Sequence, residues 1–309
     1  MTEVPPLPHI EKSPLVSVGI PTYNRLPMLK RAIQSVLQDA YANLELVISD
    51  NASTDGTRDY CAEIARNDPR VRYLRHETNK GAHENFMTAL RSAQGTYFMW
   101  LGDDDWIDAG YIPRCVETLE NNPGTVLVCG RARYYQNDSL ISEEMGMSLL
   151  QDSALERLLR YFRVVSRNGE YYGLMRRSLL LRTPYPKTIG GDWSLIASMA
   201  CRGKFSSLPT ISINRALGGA TANAESVVNI TGSTGFLASS TWLFWLAIAA
   251  YSVREIISDP TAYAPLNRIQ RIWAGLLVFS TIFRRYVRPE MGNSLRQTKV
   301  WKFLHPSQE

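Results

Sequence analysis

Along the first hundred or so positions, short unbroken apolar runs alternate with apolar residues at helical spacing. Leu15 to Ile20 is a β-rich run ended by Pro21, after which Leu29, Ala32, Ile33, Val36 and Leu37 recur on one helical face. Leu44 to Ile48 is a second strand, and Asp55-Gly56-Thr57 opens a helix running toward Asn67. Val71 to Leu74, a helix from Ala82 to Ala93, and Tyr97 to Leu101 continue the alternation. Repeated β-α-β units imply a mostly parallel sheet with right-handed crossovers. Ligands of such sheets sit beyond the carboxyl ends of the strands. The residues directly after each strand are therefore the ones to inspect.

Beyond Asp105 the pattern is mixed. Ile112 to Asn121 reads as a helix, Val126 to Cys129 as a strand, Asp152 to Phe162 as a capped helix and Tyr171 to Met175 as a strand. Asp192 to Cys201 is a helix stopped by Gly203. No charge occurs from Ser226 to Val253, and Phe236 to Tyr251 is strongly apolar but short of the roughly 20 residues a spanning helix needs. Trp273 to Phe283, bracketed by Arg271, Arg284, Arg285 and Arg288, fits either a basic interfacial helix or a helix packed on the catalytic domain or a second subunit.

The length of 309 residues suits one large α/β domain with an appendage, or two small domains. A net charge of +5 is a mild basic excess and not a nucleic-acid signature. The basic residues gather only near the end of the chain, where they suit phosphorylated substrates, an anionic membrane surface or plain solvation. Cys61, Cys115, Cys129 and Cys201 form no metal-binding spacing and read as reduced, mostly buried cysteines of a cytoplasmic protein. Met1 to Pro14 is polar and proline-rich, with no apolar signal core, and is expected to be a loose tail.

Three polar clusters follow the strands: Pro21-Thr22-Tyr23-Asn24-Arg25, Asp50 to Thr57, and Gly102-Asp103-Asp104-Asp105-Trp106. Together at one sheet edge they favour a nucleotide site, although Ser53-Thr54-Asp55 also suits a helix N-cap. A carboxylate at a strand end, such as Asp50, can accept the ring N–H of a base. Three successive carboxylates repel one another and lose solvation, which a cation relieves. Oxygen ligands suit Mg²⁺ or Mn²⁺, ions that bridge phosphate oxygens; the bland alternative is an exposed acidic turn before a helix. Asp192, after Gly190-Gly191, suits either a helix cap or a base that takes a proton from an attacking hydroxyl.

The combination V-S-V-G-I-P-T-Y-N-R, V-I-S-D-N-A-S-T-D-G-T, N-K-G and L-G-D-D-D-W, over about Leu15 to Arg215, closely resembles glycosyltransferase family 2, with its GT-A fold. The resemblance implies a Rossmann-like, mostly parallel α/β sheet flanked by helices, with a C-terminal helical extension. It divides the chain into a tail (1–14), a catalytic domain (15–222, with its nucleotide half at 15–105 and acceptor half at 106–222) and a helical region (223–309). It implies inverting, metal-dependent sugar transfer from a nucleoside-diphosphate sugar. Pro21, Thr22, Tyr23, Asn24 and Arg25 would line the nucleoside site, with Asp50 on the base and Ser53 nearby. Asn79, Lys80 and Gly81 match the family's closing loop. Asp103, Asp104 and Asp105 match its D-x-D motif, with Asp103 and Asp105 as metal residues for Mg²⁺ or Mn²⁺ and Asp103 also on the ribose side. Asp192 falls where the family carries Glu-Asp, the Asp being the base, but Gly191 replaces the Glu. Arg215 falls in a late loop that reaches the diphosphate, and Leu217 stands near the place of that loop's usual His.

Uridine diphosphate is the commonest donor nucleotide in such enzymes, with thymidine, guanosine and cytidine diphosphates as alternatives. A saccharide, a lipid-linked saccharide or a small molecule would each serve as acceptor. The expected setting is cytoplasmic, with the C-terminal helices at the inner membrane face or in a homo-oligomer, and without nucleic acid. The competing activities are a sugar nucleotidylyltransferase, which normally has a glycine-rich loop after the first strand, and a non-catalytic sugar- or lipid-binding pseudo-transferase.

Overall fold

The computed structural model describes residues 13–218 and 240–296. In chain order its elements begin with β1 (Val16–Thr22), α1 (Leu26–Leu37), β2 (Leu44–Asp50), α2 (Thr57–Asn67), β3 (Val71–Arg75), α3 (Ala82–Ser92) and β4 (Tyr97–Trp100). There follow β5 (Trp106–Ile107), α4 (Tyr111–Asn121), β6 (Thr125–Gln136), β7 (Ser139–Glu144), α5 (Ala154–Val164) and β8 (Leu174–Arg176). The last are α6 (Arg177–Leu180), α7 (Gly191–Arg202), β9 (Lys204–Ala216), α8 (Thr241–Ser258), α9 (Arg268–Ile282) and α10 (Arg288–Arg296). The chain forms two compact units. One holds residues up to Ser148, Gly169–Arg182 and Gly203–Leu217; the other holds Leu149–Asn168, Thr183–Arg202 and the chain from Gly218 onward.

The first unit contains the whole sheet, of order β3-β2-β1-β4-β8-β6-β9-β5, with β7 hydrogen-bonded to β6 off this path. Strands β3, β2, β1 and β4 run parallel. β1 and β2 are buried at every position, as strands covered on both faces should be. Leu29, Ala32, Ile33 and Val36 of α1 pack with Val16, Val18 and Ile20 of β1, and Ile112, Val116 and Leu119 of α4 extend the same core. The other half of the sheet is mixed. β8 is antiparallel to both β4 and β6, whereas β6 and β9 are parallel to each other.

Two local expectations are corrected here. Tyr171 to Met175 is not one strand: Gly169–Tyr172 makes a 3₁₀ turn, and only Leu174–Arg176 joins the sheet. Glu170 within that turn accepts the N–H of Met147, which fixes the tighter backbone. The strand starting near Val126 runs on to Gln136, because Ala132 and Tyr134 alternate inward while Arg131 and Arg133 face outward. All four cysteines are free and buried.

The second unit is helical in its described residues. A guanidinium holds it together at one point. Arg157, on α5, is buried and donates from Nε to the carbonyl of Ala200 at 2.7 Å and from Nη2 to that of Cys201 at 3.0 Å. Its Nη1 also donates to the carbonyls of Gln151 and Asp152. The last carbonyls of α7 have no partner within their own helix and carry its negative dipole end, so a cation there is doubly favourable. No described helix is long and apolar enough to cross a membrane. Replacing Arg157→Met should leave these carbonyls without donors and lower stability by about 3 kcal/mol. Urea denaturation checks this, and an unchanged midpoint would show that the contacts contribute little.

Candidate active site

The carboxyl ends of β1, β2 and β4 place the three polar clusters side by side, and the clusters bond to one another. Thr22 Oγ1 donates to Asp103 Oδ2 at 2.8 Å. Arg25 Nη1 lies 2.8 Å from Asp104 Oδ2 and 3.4 Å from Asp103 Oδ1. Asn24, in the left-handed region at φ 54°, donates its N–H to Ser53 Oγ and accepts the N–H of Thr54. Pro21 lies within β1, and Tyr23 is 46% exposed. Asp50 is fully buried: Oδ1 accepts the N–H of Ser53, and Oδ2 accepts the Tyr73 hydroxyl and lies 3.4 Å from Arg75.

The Asn79-Lys80-Gly81 turn is tied to the cluster after β2 through Asn51, and a further contact comes from Asn85, which the polar clusters did not include. Asn51 Nδ2 donates to Asn79 Oδ1, and the N–H of Lys80 donates to Asn51 Oδ1. Asn79 Oδ1 also accepts the N–H of Gly81. Asn85, buried on α3, donates to the carbonyl of Thr22 and accepts the Ser49 hydroxyl. Asn51 belongs to the Asp50 to Thr57 cluster, directly after β2, although the sequence pattern assigns it no separate role. Asn85, in the first turn of α3 and not directly after a strand, carries no such signal.

Asp105 faces the opposite side of the acidic triplet. Its Oδ1 accepts the N–H of Ala216 at 3.1 Å, and its Oδ2 lies 3.5 Å from Arg215 Nε. Arg215 belongs to β9 and not to a loop. Its guanidinium lies 4.5 Å from the Tyr172 ring centre, which holds it against the carboxylate. Arg31, a third guanidinium not anticipated, stacks 3.6 Å from the Trp106 ring centre and reaches the carbonyl of Asp104. Residues 219–221 of the expected late loop lie outside the described residues.

Burial pushes the Asp103 carboxyl up to about 6, with Arg25 opposing and Asp104 reinforcing the shift. Burial also raises Asp105, against the pull of Arg215. Three carboxylates thus meet two directly paired guanidiniums, which leaves a site receptive to further positive charge. Among the described residues no group of three or more His, Cys, Asp or Glu forms a ready cage for a metal. A small divalent ion does not require one, since Mg²⁺ takes one or two carboxylates and completes its shell with water and phosphate. Carboxylate oxygens of two of the three residues lie close over Gly102, where an added Cβ would meet Asp105 Oδ2 at 2.8 Å and Asp104 Oδ1 at 3.0 Å. The donor set fits Mg²⁺ or Mn²⁺.

Asp192 belongs to the second unit, as the second residue of α7. Its Oδ2 accepts a hydrogen bond from Asn168 Nδ2 at 2.9 Å, and Asn168 Oδ1 accepts the Tyr161 hydroxyl at 2.8 Å. Asn168 is buried with φ at 50°, a conformation asparagine tolerates better than most residues. The two glycines before Asp192 are dictated by geometry. Gly190 has φ 73°, and a Cβ on Gly191 would stand 2.1 Å from the Pro186 carbonyl oxygen. Glutamate therefore has no room at 191 on this backbone, and a polar partner for Asp192 comes from Asn168 instead.

Asn168→Ala should cost about 1–3 kcal/mol, since it strands buried polar groups, together with the strain of alanine in the left-handed region. Asn168→Gly loses the same bonds without that strain, so it should fall between alanine and the native protein. Thermal or urea unfolding of the pair separates the two terms; equal losses in both variants would remove the backbone argument.

The match to a known family covers the first part of the site, up to residue 182. The family model described as glycosyl transferase family 2 matches residues 17–182, more than half of the chain. The GalNAc(5)-diNAcBac-PP-undecaprenol β-1,3-glucosyltransferase of Campylobacter jejuni is 29% identical over 168 residues, 54% of this chain and 53% of that protein. The chain spans about half or less of the length of the curated relatives it matches. In fold it is similar to S. aureus TarS 1-349 in complex with UDP-GlcNAc, at 17% identity and TM-score 0.65, covering 93% of this chain and 78% of that one. It is also similar to the mannosyltransferase PcManGT from Pyrobaculum calidifontis in complex with GDP-Man and Mn²⁺, at 17% identity and TM-score 0.55, covering 96% and 84%. These likenesses support the GT-A fold, and by the family match over its parallel strands, acidic triplet and following turns the chain belongs to glycosyl transferase family 2.

Proposed function

We propose that the protein transfers a sugar from a nucleoside-diphosphate sugar to an acceptor hydroxyl by a single displacement with inversion. The observation that carries this reading is the gathering of Asp103, Asp104 and Asp105 with Thr22 and Arg25 at the carboxyl edge of the parallel strands. Thr22, Tyr23, Asn24, Ser53 and the Asn79-Lys80-Gly81 turn form the nucleoside side, with Asp50 setting that loop through Ser53 and Tyr73. Asp103 and Asp105 would hold Mg²⁺ or Mn²⁺, and such an ion supplies charge neutralisation for a diphosphate leaving group. Arg25 and Arg215, which pair with these carboxylates, would take up phosphate charge beside it.

Asp192 takes the proton of the acceptor hydroxyl. As that O–H bond breaks, the oxygen bonds to the anomeric carbon, and the bond from this carbon to the diphosphate oxygen breaks with its electron pair. Attack opposite the leaving group inverts the centre. Asn168 keeps one oxygen of the Asp192 carboxylate engaged and so fixes its orientation. A UDP-sugar or a GDP-sugar donor is supported by the complexes of the structural relatives, and a lipid-linked saccharide acceptor by the name of the Campylobacter relative. A nucleotidylyltransferase reading finds no support in the family match.

Calorimetry with UDP and GDP should show markedly tighter binding with Mn²⁺ than with EDTA, and Asp105→Ala should abolish the difference. Equal affinity with and without the ion would overturn the metal assignment. A second experiment separates base from cap at Asp192. Asparagine caps a helix nearly as well as aspartate, so Asp192→Asn should fold and bind nucleotide normally. Its turnover should fall by roughly 10²–10⁴-fold, because the amide accepts no proton at neutral pH. Turnover near that of the native enzyme would leave Asp192 a structural residue.

A further inference from the structure

The second unit carries a surface for which the transfer reaction has no use. Helix α9 is apolar on two opposite faces. Ala274, Gly275, Val278 and Ile282 are buried, and a Cβ on Gly275 would meet the Ile257 side chain of α8 at 3.0 Å. Arg271 donates to the carbonyl of Ile257, and a capping box of Asn267 with Gln270 fixes the first turn. The helix is thus firmly seated along its inner face. Its outer face carries Ile269, Ile272, Trp273, Leu276 and Phe279, at spacing that keeps them on one stripe, and all five are exposed. Ile269 is 68% and Trp273 61% exposed, values that a bulky apolar side chain on a water-facing helix seldom shows. A helix seated in a core normally turns polar residues outward. Here the outward face is apolar, and a contiguous patch of this kind marks an interaction surface.

We propose that this outer face of α9 is an interfacial docking surface for an anionic lipid bilayer. Exposed arginines stand at both ends of the stripe, Arg268 before it and Arg284 and Arg288 after it. The helix has 15 residues, about 22 Å at 1.5 Å per residue, too short to cross a bilayer but sufficient to lie in its headgroup region. A tryptophan in the stripe suits that region, where its amphipathic ring is favoured. Charge also argues against a second copy of the chain on this face. Pairing two such stripes antiparallel sets the Arg268 end of one against the Arg284 and Arg288 end of the other, and pairing them parallel sets each arginine against itself. Lipid headgroups of opposite sign remove that repulsion.

The test uses the full chain with vesicles of phosphatidylcholine alone and of phosphatidylcholine with phosphatidylglycerol in equal parts, sedimented at low and high salt. The protein should bind the mixed vesicles at low salt and lose much of that binding at high salt. A Trp273→Ser, Leu276→Ser variant should lose binding to the mixed vesicles, and its circular dichroism should match the native protein because both side chains are exposed. An Arg268→Ala, Arg284→Ala, Arg288→Ala variant should bind mixed vesicles about a hundredfold more weakly, since each arginine near an anionic surface contributes roughly fivefold. No binding to mixed vesicles at low salt, or unchanged binding by the serine variant, would overturn the proposal. So would a concentration-dependent dimer in sedimentation velocity that the serine variant abolishes.

Discussion

Three carboxylates in succession at the end of a buried strand persist only if positive charge meets them. In this protein that charge comes from Arg25, just past β1, and Arg215, near the end of β9. An unpaired ion in such surroundings costs several kcal/mol. The pairing therefore binds strand ends that are far apart in sequence, and the placing of β9 in the sheet is part of the same arrangement. Thr22, Asn24, Ser53 and Asn51 then lace the neighbouring loops through one or two hydrogen bonds each. Arg25 and Arg215 thus already neutralise part of the carboxylate charge at this edge.

The parallel half of the sheet was legible because its information is local. Each strand is a short apolar run, each helix a repeated spacing, and polar residues stand where the strands end. Sites on that edge follow from the same rule, which is why Thr22, Arg25 and the acidic triplet fall together as expected. The mixed half was less legible. The apolar run of β6 breaks at Gly130 and Arg131, although Ala132 and Tyr134 keep turning inward, and the period of two was the signal to follow. β9 combines serines, Pro209 and Asn214, and its strand character rests on pairing with β6 and β5. Arg215 consequently read as a loop residue.

The surroundings of Asp192 depend on contacts the sequence does not display. Its partner Asn168 lies in a different segment; the Asn168-Gly169 pair signals a turn, but not that its amide reaches Asp192. The loss of the family's glutamate at 191 likewise becomes intelligible only from the Pro186 carbonyl beside Gly191. This backbone has no room for a side chain at 191, and a buried amide elsewhere supplies a polar contact to the Asp192 carboxylate.

Asp55 shows a coupling of another kind. One oxygen of its exposed carboxylate accepts the N–H of Leu26, the first residue of α1, while the other accepts both the N–H and the hydroxyl of Thr57, the first residue of α2. Two helix dipoles thus converge on a single negative charge. The turns leading into α1 and α2 are consequently hinged on one pin: a motion that frees either helix start loosens the other. Disturbing the Asp55 carboxylate would therefore loosen both turns together and not one alone.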